Sequence, residues 1–137
     1  MVAIPPYEVK TSEARRILPP TLTRAESIIA LQRSALITAM FATGQIAELR
    51  GLFDDAWHEH HRTALNPGLT QARQAAANAG AIGTVLSGSG STVLSFAHVD
   101  HAPAVARAVK EAYTQLHIAV QMRVVPFDNG GITPVGD

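Results

Sequence analysis

The stretch Ala81–Ala97, AIGTVLSGSGSTVLSFA, joins two apolar runs through a loop of glycine and serine. The runs Ala81–Leu86 and Thr92–Ala97 are short and contain β-branched and aromatic residues, which predicts the two strands of a β-hairpin. Glycine permits a positive φ, and successive N–H groups in such a loop can bind an anion. The loop lacks the Gly-Lys-Ser/Thr of a P-loop, however, and a strand rather than a helix follows it. Its spacing alone therefore favours an ordinary turn over a phosphate site.

Helices and a further strand are predicted around this hairpin. The apolar residues of His101–Leu116 recur on one helical face, and Asp100 is the expected N-cap. Thr70–Asn78 is an alanine-rich segment that follows a turn at Asn66-Pro67-Gly68, which predicts a second helix. Ile118–Val125 alternates with a period of two, which predicts a closing strand.

The segment before the hairpin adds a strand and three helices. Val2–Val9 contains two prolines, which predicts a short edge strand because proline cannot donate to a ladder. Thr11-Ser12 supplies a candidate hydroxyl cap for a short helix. Thr23 and Glu26 form a capping box before a long helix that is apolar on much of its circumference and is predicted to be buried. Ile46–Trp57 predicts a second amphipathic helix, so that the two helices form an antiparallel hairpin.

The order of these elements predicts an α+β fold of split-βαβ, or ferredoxin-like, type. It is a two-layer sandwich in which an antiparallel sheet carries helices on one face, plus an added helical hairpin. The tail from Asp128, with Asn129-Gly130-Gly131, predicts a turn before a last extended segment. The chain of 137 residues and 14.5 kDa has the length of one domain.

Charge and residue usage exclude several classes of function. The 11 basic residues balance 11 acidic ones, so we expect no basic face for nucleic acid. Because cysteine is absent, neither a disulfide framework nor a thiolate metal site can form. The first residues, MVAIPPYEVK, resemble no signal peptide, and no apolar stretch has the length of a membrane span. We expect a cytoplasmic protein with no nucleic-acid or membrane partner.

Two groups of polar residues are candidate sites. Arg15 lies one helical turn after Thr11, so the two side chains can hold a carboxylate between them; a capped surface helix with a solvated arginine is the alternative. His58, Glu59 and His61 lie close in sequence but lack the H-E-x-x-H spacing of a zinc site. We therefore expect no metal ion to be held there.

Three segments, taken in order, carry a resemblance to a known family. They are VAIPPYEVKTSEARRILPPTLTRAESI (residues 2–28), HEHHRTALNPGLTQARQAA (58–76) and AGAIGTVLSGSGSTVLSF (79–96). Together they resemble the carboxy-terminal half of the homoserine kinases, within the GHMP kinase family (galactokinase, homoserine, mevalonate and phosphomevalonate kinases). The resemblance spans essentially the whole chain. It implies a substrate-side GHMP kinase domain over residues 1–137, in an enzyme that transfers the γ-phosphoryl group of ATP to the hydroxyl of L-homoserine for threonine biosynthesis.

The resemblance also implies roles for single residues. Thr11 and Arg15 match the threonine and arginine that hold the carboxylate of the amino acid, and Arg62 matches a further substrate-binding arginine. The third glycine-rich motif of the family, beside the nucleotide phosphates, is matched by Ser87, Gly88, Ser89, Gly90, Ser91 and Thr92. In this motif Ser91 stands where the family usually has proline. Before Arg62, His60-His61 replaces Pro-Tyr.

The ATP loop of the family, P-x-x-x-G-L-G-S-S-A, does not occur in these residues. The resemblance therefore implies that the amino-terminal ATP-binding domain is absent and that ATP and Mg²⁺ belong to the complete enzyme. It implies no catalytic residue in this chain, which is expected to be inactive without the missing half. The alternatives are a non-catalytic module that binds an amino acid and a structural remnant that forms a homodimer.

Overall fold

The computed structural model describes residues 1–128 and 130–131, and its centre is a sheet of four antiparallel strands. In the spatial order β2-β3-β1-β4, the strands are β1 (Val2–Ile4), β2 (Gly83–Leu86), β3 (Val93–Phe96) and β4 (Gln121–Arg123). The hairpin predicted from the glycine-serine loop pairs β2 with β3 and sets Val85 opposite Leu94. This strand order is that of a ferredoxin-like unit, so the predicted α+β split-βαβ architecture is confirmed.

Helices pack on one face of the sheet to form the core. The α-helices are α1 (Thr11–Arg16), α2 (Arg24–Thr43), α3 (Glu59–Arg62), α4 (Leu69–Asn78) and α5 (Ala102–Gln115). Both α4 and α5 were predicted, and they pack on each other and on the sheet. Deeply buried side chains of this layer are Leu69, Val93, Val105, Val109 and Tyr113. Full burial of such a side chain stabilises the fold by about 1.5–3 kcal/mol, so this layer is the main source of stability.

Strand β1 lies inside the sheet, and the predicted edge strand is therefore wrong. Val2 pairs with Leu94 of β3 on one side and with Arg123 of β4 on the other. Pro5 comes directly after Ile4, the last paired residue, and so removes no N–H group from the ladder. The prolines end the strand; they do not place it at an edge.

Helix α2 begins as predicted but is not buried. The Thr23 hydroxyl accepts from the N–H of Glu26, and the Glu26 carboxylate accepts from the N–H of Thr23, which is the predicted capping box. Within this fully described helix no residue is buried, and Leu31 is 72% exposed. Its end approaches the sheet, where the Phe41 ring lies 6.2 Å from that of Phe96. The apolar periodicity therefore predicted that a helix forms here, but it did not predict that the apolar side chains of the helix stay exposed.

The second helix of the predicted hairpin does not form. Ile46–Leu49 make a 3₁₀ helix, and the chain then turns irregularly as far as Trp57. Phe53 stacks instead on Phe96 of the sheet, with the ring centroids 5.0 Å apart. Gly83 of β2 makes room for this contact, because a Cβ atom there would overlap the Phe53 ring. Packing of aromatic side chains on the sheet replaces the regular helix.

Three smaller predictions concern the N-cap of α5, the length of the last strand and the tail. His101, not Asp100, is the N-cap of α5, and no side chain caps this helix. Strand β4 is shorter than the predicted Ile118–Val125. In the predicted tail turn, the N–H of Gly130 donates to the Asp128 carboxylate at 2.8 Å, whereas Asn129 and the predicted last extended segment, within residues 132–137, lie outside the described residues. None of the helices in the described part of the chain combines the length and apolar character that a membrane crossing requires.

Candidate functional site

The glycine-rich loop (residues 87–92) forms the tip of the β2–β3 hairpin. The N–H of Ser87 donates to the carbonyl oxygen of Thr92 at 2.8 Å, which closes the loop. Gly88 has a φ of 69°, a left-handed conformation that favours glycine. Among the described residues, nothing accepts a hydrogen bond from the backbone N–H groups of residues 88–91. The loop thus holds a row of N–H donors without acceptors in the described part of the chain, as an anion-binding loop requires.

The start of α1 lies against this loop. The hydroxyl oxygens of Thr11 and Ser89 are 3.1 Å apart, within hydrogen-bonding distance. Ser91 donates to the carbonyl oxygen of Tyr7 at 2.6 Å, so the segment before α1 is held as well. The predicted capping role of Thr11 is wrong, because Lys10 is the N-cap and Thr11 is the first helical residue. Its hydroxyl contacts the loop instead.

Arg62 joins the loop to α1 from the other side. Its side chain is almost buried, with the residue 8% exposed. Its Nε–H donates to the carbonyl oxygen of Ala14 at 3.3 Å, and its Nη1 donates to that of Gly88 at 3.2 Å. Among the described residues, its other terminal nitrogen, Nη2, has no hydrogen-bond acceptor. The structure therefore brings together Arg62, Thr11 and the loop, three of the candidate features.

Arg15 lies on the same helix but at its surface. It is exposed, and its guanidinium contacts no hydrogen-bond or ion-pair partner in the described part of the chain. It follows Ala14 in the chain, and the carbonyl oxygen of Ala14 accepts from Arg62. Arginine side chains placed in this way suit a carboxylate, which accepts two parallel N–H bonds.

His58 lies behind Arg62 and is held by Asp55. The Nδ1 atom of His58 is 3.2 Å from Nη1 of Arg62, and its Nε2 atom is 2.9 Å from the Asp55 carboxylate. Asp55 also accepts from the backbone N–H groups of Trp57, His58 and Glu59. Burial lowers the pKa of His58 and the Arg62 charge lowers it further, against the opposing effect of Asp55. No pattern in the sequence indicates this arrangement.

Glu59 is a buried carboxylate that supports the base of the loop. It is 2% exposed, and it accepts hydrogen bonds from the N–H of Leu86 and from Arg73. Burial raises the pKa of Glu59, although the Leu86 amide and the Arg73 charge oppose that rise. In the sequence, Glu59 is a charged residue three positions before Arg62, and the pattern around it indicates no more than a candidate metal ligand.

The candidate metal ligands point in different directions. Glu59 faces Leu86 and Arg73, whereas His58 faces Asp55 and Arg62. The rings of His60 and His61 lie 3.8 Å apart. Over the described residues, no three histidine, aspartate or glutamate side chains converge on a common point.

A small cavity lies between these side chains. It measures about 270 Å³ and is lined by Leu18, Trp57, His58, Arg62, Leu86 and Gly88. Its wall thus combines apolar side chains with the Arg62 guanidinium and the loop backbone, a typical composition of a site for a small polar molecule.

Comparison with known proteins gives consistent results. The family described as GHMP kinases C terminal matches residues 27–115. The homoserine kinase of Trichormus variabilis is 40% identical over 133 residues, which cover 97% of this chain and 44% of that protein. That of Microchaete diplosiphon is 37% identical over 137 residues, 100% of this chain and 45% of that protein.

The fold agrees with this result. The crystal structure of homoserine kinase from Cytophaga hutchinsonii matches 88% of this chain and 38% of its own, with a TM-score of 0.83 and 25% identity. The chain therefore spans less than half the length of the curated relatives it matches. Sequence, fold and the matched segment agree, and the chain belongs to the GHMP kinase family as a carboxy-terminal domain.

Proposed function

We propose that residues 1–137 form the substrate-side domain of a homoserine kinase, which phosphorylates the hydroxyl of L-homoserine with ATP. One observation carries the proposal: Arg62, the start of α1 and the glycine-rich loop are joined by direct hydrogen bonds. A site for a carboxylate thereby lies next to a loop whose backbone N–H groups lack acceptors among the described residues. Phosphoryl transfer depends mainly on such positioning and on neutralising charge.

In this proposal the carboxylate of homoserine binds to Arg15, Arg62 and Thr11. Arg15 is exposed, and Nη2 of Arg62 has no acceptor among the described residues, so both retain donors for a ligand. The three contacts of the rest of the Arg62 guanidinium fix its plane before a ligand arrives. A preformed donor loses less conformational entropy on binding than a mobile one.

The glycine-rich loop fits a phosphate neighbour. Nothing lies within 4 Å of a Cβ atom built at Gly88 or Gly90, so an anion can approach the backbone closely. The N–H groups of residues 88–91 would then donate to phosphate oxygens. ATP supplies the phosphoryl group in this reaction, and Mg²⁺ neutralises its charge. Ser91 adds stiffness where the family has proline, since its hydroxyl is bonded to Tyr7.

We further propose that the groups that hold the nucleotide and act on the phosphoryl group come from an amino-terminal half like that of the relatives. The chain covers about 44% of the homoserine kinase of Trichormus variabilis. No catalytic residue is proposed within this chain. Homoserine-dependent formation of ADP should therefore require that half, and the chain alone should bind homoserine without phosphorylating it.

The binding test is calorimetric titration of L-homoserine into the chain and two variants. Arg15→Ala removes a proposed carboxylate contact, and a hydrogen bond to a charged group contributes about 1.5–3 kcal/mol, which corresponds to at least about tenfold in affinity. Arg16→Ala is the matched control, because Arg16 is an exposed arginine of the same helical turn. Equal affinity of the two variants, or no heat from the wild-type chain at millimolar homoserine, would contradict the proposal.

A second candidate is association of two copies, which the exposure of α2 favours. Ile28, Leu31 and Leu36 are 44%, 72% and 45% exposed on this helix. Exposed apolar patches of this kind favour association. Sedimentation velocity distinguishes the candidates, because a monomer at high concentration contradicts the homodimer and leaves the kinase proposal intact.

A further inference from the structure

His58 is held between a carboxylate and a guanidinium. On one side its Nε2 atom lies 2.9 Å from Oδ2 of Asp55. On the other side its Nδ1 atom lies 3.2 Å from Nη1 of Arg62. The same Nη1 atom donates to the carbonyl oxygen of Gly88 in the loop. A line of polar contacts therefore runs from Asp55 through His58 and Arg62 to the glycine-rich loop.

The chemistry of arginine decides the protonation state of this imidazole. A guanidinium has five N–H donors and no acceptor, so the Nδ1 atom of His58 must be the acceptor of the shared hydrogen bond. Nδ1 is then unprotonated, and Nε2 carries the ring proton and donates it to Asp55. The ring is neutral in this form. Burial and the Arg62 charge both lower the pKa of His58, which agrees with the neutral form, and Asp55 opposes them.

The other charged groups around His58 are engaged elsewhere. Arg33 of α2 lines a second cavity together with His58, but it pairs with Asp54. Glu59 faces the N–H of Leu86 and Arg73, away from the imidazole. Apart from His58 and Arg62, the residues that line the 270 Å³ cavity are uncharged: Leu18 after α1, Trp57, Leu86 at the end of β2, and Gly88 of the loop. Asp55 and Arg62 are thus the charges in direct contact with His58.

We propose that His58, as the neutral Nε2–H tautomer held by Asp55, is a positioning residue that orients the Arg62 guanidinium toward the substrate carboxylate and the glycine-rich loop. The inference rests on the proposed function, because it concerns the arginine assigned there to the carboxylate. His58 itself touches neither substrate nor nucleotide in this scheme. It acts by supplying an acceptor that, together with the Gly88 carbonyl oxygen, fixes Nη1, while Nη2 remains for the ligand.

Protonation of His58 should undo this arrangement. An Nδ1–H group would face the Nη1–H groups of Arg62, so that two donors of like charge would meet where a hydrogen bond had been. Arg62 would then lose an anchor, and its contact with Gly88 would weaken with it. Homoserine affinity should therefore fall as the pH is lowered through the pKa of His58, at pH values where the carboxylate of the amino acid stays ionised.

Nuclear magnetic resonance of the whole chain tests the contact without any ligand. Long-range ¹H–¹⁵N spectra distinguish the two neutral tautomers and the charged ring of His58. We expect the Nε2–H tautomer above neutral pH, and slow exchange of the Arg62 Nε–H with solvent. An Nδ1–H tautomer or a charged ring in the wild-type protein would overturn the inference.

Three substitutions then test whether the contact positions the arginine. His58→Asn keeps an acceptor near the place of Nδ1, and His58→Gln keeps a group near the place of Nε2; His58→Ala keeps neither. We expect homoserine affinity within about twofold of wild type for H58N, and about tenfold weaker for H58Q and H58A, the effect of one hydrogen bond to a charged group. His60→Ala is the matched control, since His60 is an exposed histidine of α3, two residues after His58.

The pattern of results separates this inference from the proposed function. If neither the wild-type protein nor any variant binds homoserine, the proposed function fails. The tautomer of His58 and the exchange rate of the Arg62 Nε–H then still test whether His58 and Arg62 are in contact. Faster Arg62 exchange in H58A, with a normal rate in H58N, supports the contact in that case. If homoserine binds and all three His58 variants weaken it equally, the positioning role is wrong. A pH-dependent affinity in wild type that persists unchanged in H58N would also overturn it.

Discussion

Removal of the Arg62 side chain is the most direct test of how this site is built. Arg62 is 8% exposed and donates to two backbone carbonyl oxygens and to His58. These contacts tie α1 and the glycine-rich loop to α3, so Arg62→Ala should destabilise the whole fold and not only weaken a ligand. The acceptors left behind lie in partly or fully buried positions, where an unpaired polar group is costly.

The size of the effect follows from the number of contacts. A hydrogen bond that involves a charged group contributes about 1.5–3 kcal/mol, and three of them on one guanidinium are not additive. An acceptor left without its partner in a buried position costs about 1–3 kcal/mol, and for the contacts together we expect a decrease of about 2–4 kcal/mol in the free energy of unfolding. Arg62→Lys retains the charge but not the planar fork, so it should lose about half as much.

Urea unfolding followed by far-ultraviolet circular dichroism measures this difference. The slope of free energy against urea should stay constant while the midpoint falls, since the buried surface of the fold is unchanged. Arg16→Ala controls for the loss of an arginine at an exposed position, and its effect should stay within about 0.5 kcal/mol. A loss below about 1 kcal/mol for Arg62→Ala, with an unchanged slope, would refute the contacts described for this side chain.

Two further predictions concern the sheet face and the long helix. Gly83→Ala should destabilise the protein by about 1–3 kcal/mol in the same urea assay, because the new methyl group overlaps the Phe53 ring. Gly90→Ala is the control, because its new methyl group meets nothing within 4 Å and its effect should be near zero. Equal effects of the two substitutions would contradict the packing of Phe53 on Gly83. The hydrogen bonds from Thr23 lower the pKa of Glu26 below its ordinary value, so their contribution is present above that value and is lost as the pH falls through the folded pKa. The free energy of unfolding of Thr23→Ala should therefore fall less than that of wild type as the pH is lowered. A difference in free energy of unfolding between wild type and variant that stays constant from neutral to acid pH would count against the capping box.

Local patterns in the sequence predicted the elements of the fold that depend on local chemistry. The hairpin follows from two short apolar runs around a glycine-serine loop, α4 from an alanine-rich segment after a turn, α5 from its helical periodicity, and the start of α2 from its capping box. The position of β1 within the sheet and the exposure of α2 depend on contacts between distant segments. A periodic pattern records which side of an element is apolar, but it does not record which surface that side meets.

The same limit applies to the site. Thr11, Arg62 and the glycine-rich loop were singled out by motif, and the structure places them together. The support behind them was not visible in the sequence, because His58, Asp55 and Glu59 resemble an irregular polar run. Their roles follow from tertiary contacts, such as that between Glu59 and the N–H of Leu86. A charged residue that is 2% exposed can be recognised only in the folded chain.

The strand order has a consequence for synthesis of the chain. Strand β1 is made first, but its two neighbours are β3 and β4, and β4 lies near the other end. A nascent chain that has emerged only through α5 would hold β1 on one edge and leave its other edge open. Such an open edge invites pairing with another chain. Chains shortened before Gln121 should therefore aggregate during expression, whereas chains shortened after Arg123 keep all four strands of the described sheet.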